Sequence, residues 1–200
     1  MSEYKIFDDA NDNLIVCFGG MRLKFGNFQP FEFLNYLSKT YKNVDLNFFI
    51  DQHQCWYHKG LKGITSNIEE TAEYLKKIIN AKPYKKVIFM GISAGGYASI
   101  LFGSLCNVNH VLSFIPRTMY EQRMSNENYF DLKNVINKDT KYILYGDLGE
   151  KRKKHDHHIC QCYNISSFEN VDLIKLKTVN MKVLRDNDSI KKQIDKILKS

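Results

Sequence analysis

Long apolar runs are missing from this chain of 200 residues, in which nothing approaches the ~20 consecutive apolar positions that a bilayer crossing needs. The opening Met-Ser-Glu-Tyr-Lys lacks the basic-then-apolar pattern of a secretory signal, so the expected compartment is the cytoplasm. Proline and glycine are scarce, at 3 and 11 residues, which excludes a fibrous or disordered chain. The five cysteines, at 17, 55, 106, 160 and 162, are an odd number, and two lie inside apolar segments, which fits reduced thiols better than a disulfide framework. No G-x-G-x-x-G turn is present, which argues against a dinucleotide site, and no cofactor is implied. A net charge of +7 invites an acidic partner, but the lysines are scattered over every helix-like segment and no recognition motif accompanies them. Nucleic acid is therefore not expected as a partner.

What remains, 44% hydrophobic and 26% charged, suits one globular domain spanning 1–200. Its organising stretch runs from Lys86 to Gly103, where an apolar run ends at Gly91 and small residues follow at once. That pattern predicts a strand, a sharp turn and a helix. At the turn, Gly91-Ile92-Ser93-Ala94-Gly95 is a G-x-S-x-G sequence. A residue forced into so tight a turn needs neighbours without bulk, and its hydroxyl then projects above the sheet edge at a helix N-terminus. Ser93 is the candidate nucleophile.

The rest of the chain alternates. Asn13 to Phe18 predicts a strand closed by Gly19-Gly20 and a loop holding Gly26 and Pro30; Phe31, Leu34 and Leu37 follow at helical spacing, and Val44 to Ile50 predicts a second strand ending at Asp51. Ser66-Asn-Ile-Glu69 reads as a capping box ahead of a helix whose apolar face is Ile68, Ala72, Leu75 and Ile79. Further strands are expected at 108–116, 142–146 and 171–179, and a closing helix buries Ile190, Ile194, Ile197 and Leu198. Strand and helix in alternation predict an α/β fold, a three-layer sandwich with a mostly parallel sheet covered by helices on both faces. Loops at the carboxyl ends of such strands form the site.

An elbow after a central strand, with a glycine-ended strand before it and three strands after it, resembles the α/β-hydrolase superfamily in a small form without a lid domain. The resemblance implies an acyl hydrolase or acyltransferase with Ser93 as nucleophile and an oxyanion hole made by the N–H groups of Ala94 and, by position, Gly20. It implies an acid after the strand ending at Gly146, for which Asp156 and Glu150 are the first candidates and Asp147 the next, since aspartate at a strand end often caps a turn. It also implies a histidine after the last strand, and there the pattern breaks. Leu176 to Leu184 contains none, and no histidine follows His158. A displaced base, with His158 favoured over His157 and both over His53, keeps acyl transfer possible. A catalytically degenerate binding or scaffold protein is the alternative.

Two other segments concentrate chemistry. His155-Asp-His-His-Ile-Cys-Gln-Cys162 holds metal-binding residue types, but zinc sites draw ligand pairs from separated segments, so no metal is expected. The plainer reading is a polar loop leading into a helix whose Ile159 and Cys162 turn inward. After Asp51, the residues Trp56, Tyr57 and His58 suit a substrate wall for a small-molecule or glycan-linked acyl group, or else plug the sheet end. The run D-x-x-x-C-W-Y-x-x-G with the later G-x-S-A-G-G also resembles small hydrolase-like proteins encoded with bacterial surface-glycan machinery. Oligomeric state is not legible.

Overall fold

In the computed structural model, residues 1–21, 31–119, 127–153 and 155–200 are described, and the expected loop at Gly26 and Pro30 lies outside them. Among the described residues seven strands form one sheet: β1 (Glu3–Ile6), β2 (Asn13–Phe18), β3 (Asp45–Phe49), β4 (Lys86–Ile92), β5 (His110–Phe114), β6 (Lys141–Asp147) and β7 (Val171–Leu176). Their spatial order is β1-β3-β2-β4-β5-β6-β7, with β1 antiparallel to β3 and every other pairing parallel. The elbow strand β4 is therefore central. Helices α1 (Leu34–Thr40), α2 (Ile68–Ile79), α3 (Ala94–Leu105), α4 (Cys160–Tyr163), α5 (Met181–Asp186) and α6 (Ser189–Leu198) complete the layers. None of the described helices is long and apolar enough to cross a membrane.

The apolar strand runs are continuous because both faces of the sheet are covered. Along β2, Leu14, Val16 and Phe18 enter the core with α2 and α3, while Ile15 and Cys17 enter the opposite core with α1 and α6. The α6 stripe of Ile190, Ile194 and Ile197 is buried as its spacing required. In α2 the cap sits one residue later than the sequence suggests: Asn67 Oδ1 accepts from Glu70 N at 2.7 Å, and Glu70 Oε2 accepts from Ser66 N at 2.8 Å. Asn67 and Glu70 are the box, and the register moves because Ile68 must open the buried face. The edge strand β1 lies in what reads as a polar start. It is held by side chains, with Glu3 accepting from Asn47 Nδ2 at 2.8 Å and from the Tyr74 hydroxyl at 2.7 Å. All five cysteines are free.

Helix α3 is buried along almost its whole length and lies unusually close to the strands. A methyl group at Gly95 would stand 2.0 Å from the Phe18 carbonyl oxygen, and one at Gly91 would stand 2.2 Å from the Gly95 oxygen. Both clashes are with backbone, which cannot rotate away. Gly95→Ala is expected to destabilise the fold by roughly 3 kcal/mol or more, read as a lowered urea midpoint. An unchanged midpoint would mean that α3 does not rest on β2 as described.

Candidate active site

Ser93 sits between β4 and α3 with φ 56° and ψ −116°, a conformation that side-chain-bearing residues seldom adopt. Such strain is of order 1–3 kcal/mol and persists only where the surroundings over-determine it. Here they do. Ser93 N donates to Phe114 O at 3.0 Å, Tyr97 N donates back to Ser93 O at 2.9 Å, and the glycines on either side admit the turn. The hydroxyl is left at the carboxyl edge of the sheet, beside the first-turn amides of α3, among them Ala94 N–H, which have no partner within the helix.

The hydroxyl has a partner. Ser93 Oγ lies 2.8 Å from Nε2 of His157, in the loop after β6. That loop is pinned by Ile159, whose Cδ1 would be 2.1 Å from a methyl at Gly146, and by Cys162, whose Sγ would be 3.3 Å from it. Ile159 and Cys162 do turn inward, and the turn before them carries His157 to the serine. His158, favoured on sequence, is placed differently: its Nδ1 accepts from Cys160 N at 3.1 Å, its backbone bridges to Asp147, and the hydrogen bond to Ser93 is made by His157 instead. Adjacent residues in a turn point in different directions, and the turn has no periodicity from which to tell them apart. His53, in the loop after β3, likewise makes no hydrogen bond to Ser93 among the described residues. Burial first, and the neighbouring His155 second, push the His157 imidazole below its ordinary 6.5, against the opposing pull of Asp156, Asp147 and Glu150. The ring is therefore neutral at pH 7 and able to accept a proton.

The carboxylates expected to orient that ring are engaged elsewhere. Asp156 pairs with Arg117 Nη1 at 2.7 Å. Glu150 accepts from Arg152 Nη2 at 2.7 Å and lies 3.4 Å from His155 Nδ1, and the Arg152 bonds hold it well below the usual carboxylate range. Asp147 caps a turn: its oxygens accept from Gly149 N at 2.6 Å and from Val179 N at 3.0 Å, which ties β6 to the segment after β7. Among the described residues no carboxylate bonds to His157. What sets its position is the backbone, where His157 N donates to His155 Nδ1 at 3.1 Å, and the edge-on packing of the two rings at 5.2 Å.

The three residues of the expected substrate wall are all buried. Tyr57 is fully buried and its hydroxyl donates to Gly19 O at 2.8 Å, bracing the glycine turn after β2. The loop folds inward because Asp51 Oδ2 accepts from Cys55 N at 2.7 Å and Tyr57 N at 3.0 Å, which holds Trp56 and Tyr57 at positive φ of 61° and 67°. His58 is buried, with Nε2 2.8 Å from the Tyr97 hydroxyl. Trp56, 8% exposed, is a plug that meets Tyr97 edge-on at 6.0 Å and carries Arg117 5.8 Å above its ring. Through Arg117 it reaches Asp156, next to the histidine on Ser93.

Two residues that the sequence reading passed over also belong to the site. Arg117 follows Pro116 at the carboxyl end of β5, and that position was its only signal. Glu32, just before α1, accepts from Gly20 N at 2.8 Å and so occupies the N–H expected to face an oxyanion. The His/Cys segment does not assemble into a metal centre: among the described residues no three histidine, cysteine or acidic side chains are placed to hold an ion. His157 faces the serine, His158 closes its own turn, and Cys162 is in the core.

No family model matches the chain, and no curated protein matches it. Solved structures do. The capsule O-acetyltransferase of Neisseria meningitidis serogroup A superposes with a TM-score of 0.69 at 13% identity, over 97% of this chain and 92% of that one, and a mutant of that enzyme has been solved in complex with CoA. An esterase of Pyrococcus furiosus gives 0.62 at 13% identity, over 98% and 86% of the two chains. Acetyl xylan esterase 1 from Thermoanaerobacterium gives 0.59 at 15% identity, over 94% and 76%. The chain has the α/β-hydrolase fold.

His58 gives the region a pH signature of its own. Burial lowers its folded-state value from 6.5 to about 4, slightly opposed by Glu69. The unfolded chain therefore takes up a proton that the folded one refuses, so stability is full above pH 6.5 and falls as the pH drops towards 4. Between pH 7 and 4.5 the wild type should lose roughly 2 kcal/mol more than His58→Gln in urea melts. Equal losses would show that His58 titrates normally.

Proposed function

We propose that the protein is a serine-dependent acyl hydrolase or acyltransferase in which Ser93 is the nucleophile and His157 the general base. The observation that carries this reading is the 2.8 Å contact between Ser93 Oγ and His157 Nε2 at a strained elbow. Ser93 Oγ attacks an acyl carbonyl carbon as its proton passes to His157 Nε2. The bond to the leaving group breaks as that proton is handed on, leaving an acyl ester on Ser93. Water or an acceptor hydroxyl then reverses the sequence and releases the acyl group. In this reading Ala94 N–H stabilises the oxyanion, joined by Gly20 N–H when Glu32 releases it.

The similarity to esterases and to a capsule O-acetyltransferase supports small or glycan-linked acyl esters and acyl thioesters as donors, with no resident cofactor. Because no carboxylate among the described residues backs His157, turnover is expected to lie below that of a full triad, by up to about 10⁴-fold. The second reading, a binding protein with a retired site, is favoured by the same missing carboxylate and by Glu32 on Gly20 N–H.

A fluorophosphonate probe separates the two. The wild type should label, Ser93→Ala should abolish labelling, His157→Ala should slow it by about a hundredfold, and His158→Ala should leave it nearly unchanged. A folded wild type that never labels, or a His157→Ala protein that labels at the wild-type rate, overturns the proposal. The labelling rate should also climb with pH through a midpoint below 6.5 and level off above it, because only the neutral His157 ring accepts the serine proton. A midpoint above 6.5 would point to a different base.

A further inference from the structure

Glu32 makes the contact that the proposed reaction needs for itself. Its Oε2 accepts from Gly20 N at 2.8 Å, the length of a good charge-assisted hydrogen bond. Gly20 stands against the nucleophile: a methyl group there would lie 3.8 Å from Ser93 Cβ, 3.1 Å from Ile92 O and 3.5 Å from that same Glu32 oxygen. A carboxylate oxygen therefore rests where the carbonyl oxygen of an attacked ester has to arrive. When that oxygen becomes an anion, two negative oxygens would share one donor in a partly buried site.

The surroundings give the carboxylate somewhere to go. Glu32 lines a cavity of about 480 Å³ together with Phe31, Leu34, Ile92, Met181 and Arg185. Ile92 immediately precedes Ser93, so the cavity adjoins the elbow. Arg185 makes no ion pair among the described residues and supplies a cation on the cavity wall, while Asp186, also on that wall, is paired with Lys182. The next residue, Phe33, caps α1 at φ 64° with no side-chain cap bond, while its ring is anchored against Phe114 at 6.1 Å. Glu32 thus sits at a strained turn beside a fixed ring, a place where one side chain can change direction without moving the helix.

We propose that Glu32 is the resident occupant of the oxyanion site, and that its withdrawal from Gly20 N–H into the neighbouring cavity precedes acyl transfer at Ser93. The inference rests on the proposed roles of Ser93 and Gly20. The substrate it selects is an uncharged acyl ester or thioester whose carbonyl takes over the Gly20 donor. A substrate carrying a carboxylate at that position would meet the same repulsion as the oxyanion.

Fluorophosphonate labelling tests this directly. The Ser93 Oγ–P bond forms, the P–F bond breaks, the serine proton passes to His157, fluoride leaves, and the phosphoryl oxygen gathers negative charge in the oxyanion site. Glu32→Ala should label at least about tenfold faster than the wild type, in keeping with the weight of one oxyanion donor. Glu32→Asp, which keeps the charge but is one methylene too short to hold Gly20 N–H, should also label faster, whereas a merely structural role would make both variants slower. Thermal melts identify a variant that fails to fold, and the other then decides. A folded variant labelling at or below a measurable wild-type rate overturns the occupancy of the oxyanion site and leaves the Ser93 reading standing. No labelling in any protein overturns both.

Discussion

Helix α3 lies against β2 only because residue 95 has no side chain, since a methyl there would sit 2.0 Å from the Phe18 carbonyl oxygen. The rest of the site depends on that approach. It shortens the turn between β4 and α3 until residue 93 must take φ 56°, which lifts the serine hydroxyl clear of the sheet. It also brings the Gly19-Gly20 turn beside the serine, where the buried Tyr57 hydroxyl braces it from below. The strained serine, the first-turn amides of α3 and the Gly19-Gly20 turn are thus brought together by one backbone contact rather than by three separate arrangements.

His157 arrives by a different route. In this chain the loop after β6 supplies the histidine, and the segment after β7 supplies only a backbone amide to Asp147. A small residue is again the condition: Gly146 lets Ile159 press onto β6, and the turn so fixed carries His157 to within 2.8 Å of Ser93. Around it the acids are held off by better partners, Asp156 by Arg117 and Glu150 by Arg152. A ring lowered by burial and bonded to no carboxylate among the described residues is a ready proton acceptor but a poorly supported cation. Glu32, bonded to Gly20 N–H, places one more carboxylate beside the serine turn.

Much of this was legible in the residues where a pattern repeats. Continuous apolar runs marked β2 to β6, because strands covered on both faces need no polar alternation. Helical spacing marked the buried sides of α2 and α6, and the glycines around Ser93 marked the elbow. The signal failed where contacts are made once. Strand β1 carries an exposed, charged sequence because it is an edge held by Glu3 to Asn47 and Tyr74. The choice between His157 and His158 was lost in a turn, and Tyr57 reads as a surface aromatic until Asp51 is seen to fold its loop inward.

The amino-acid sequence by itself determined the alternating α/β fold, the sharp turn at Ser93 and the absence of a histidine after the last strand. These follow from local sterics and from periodicity, which act between near neighbours in the chain. Tertiary structure alone decided that His157 meets Ser93 across 64 residues, that Arg117 removes Asp156, and that Glu32 reaches Gly20. Each of those is a single pairing between side chains or loops brought together by the sheet. No repeat in the sequence encodes it, because its geometry exists only once the strands are aligned.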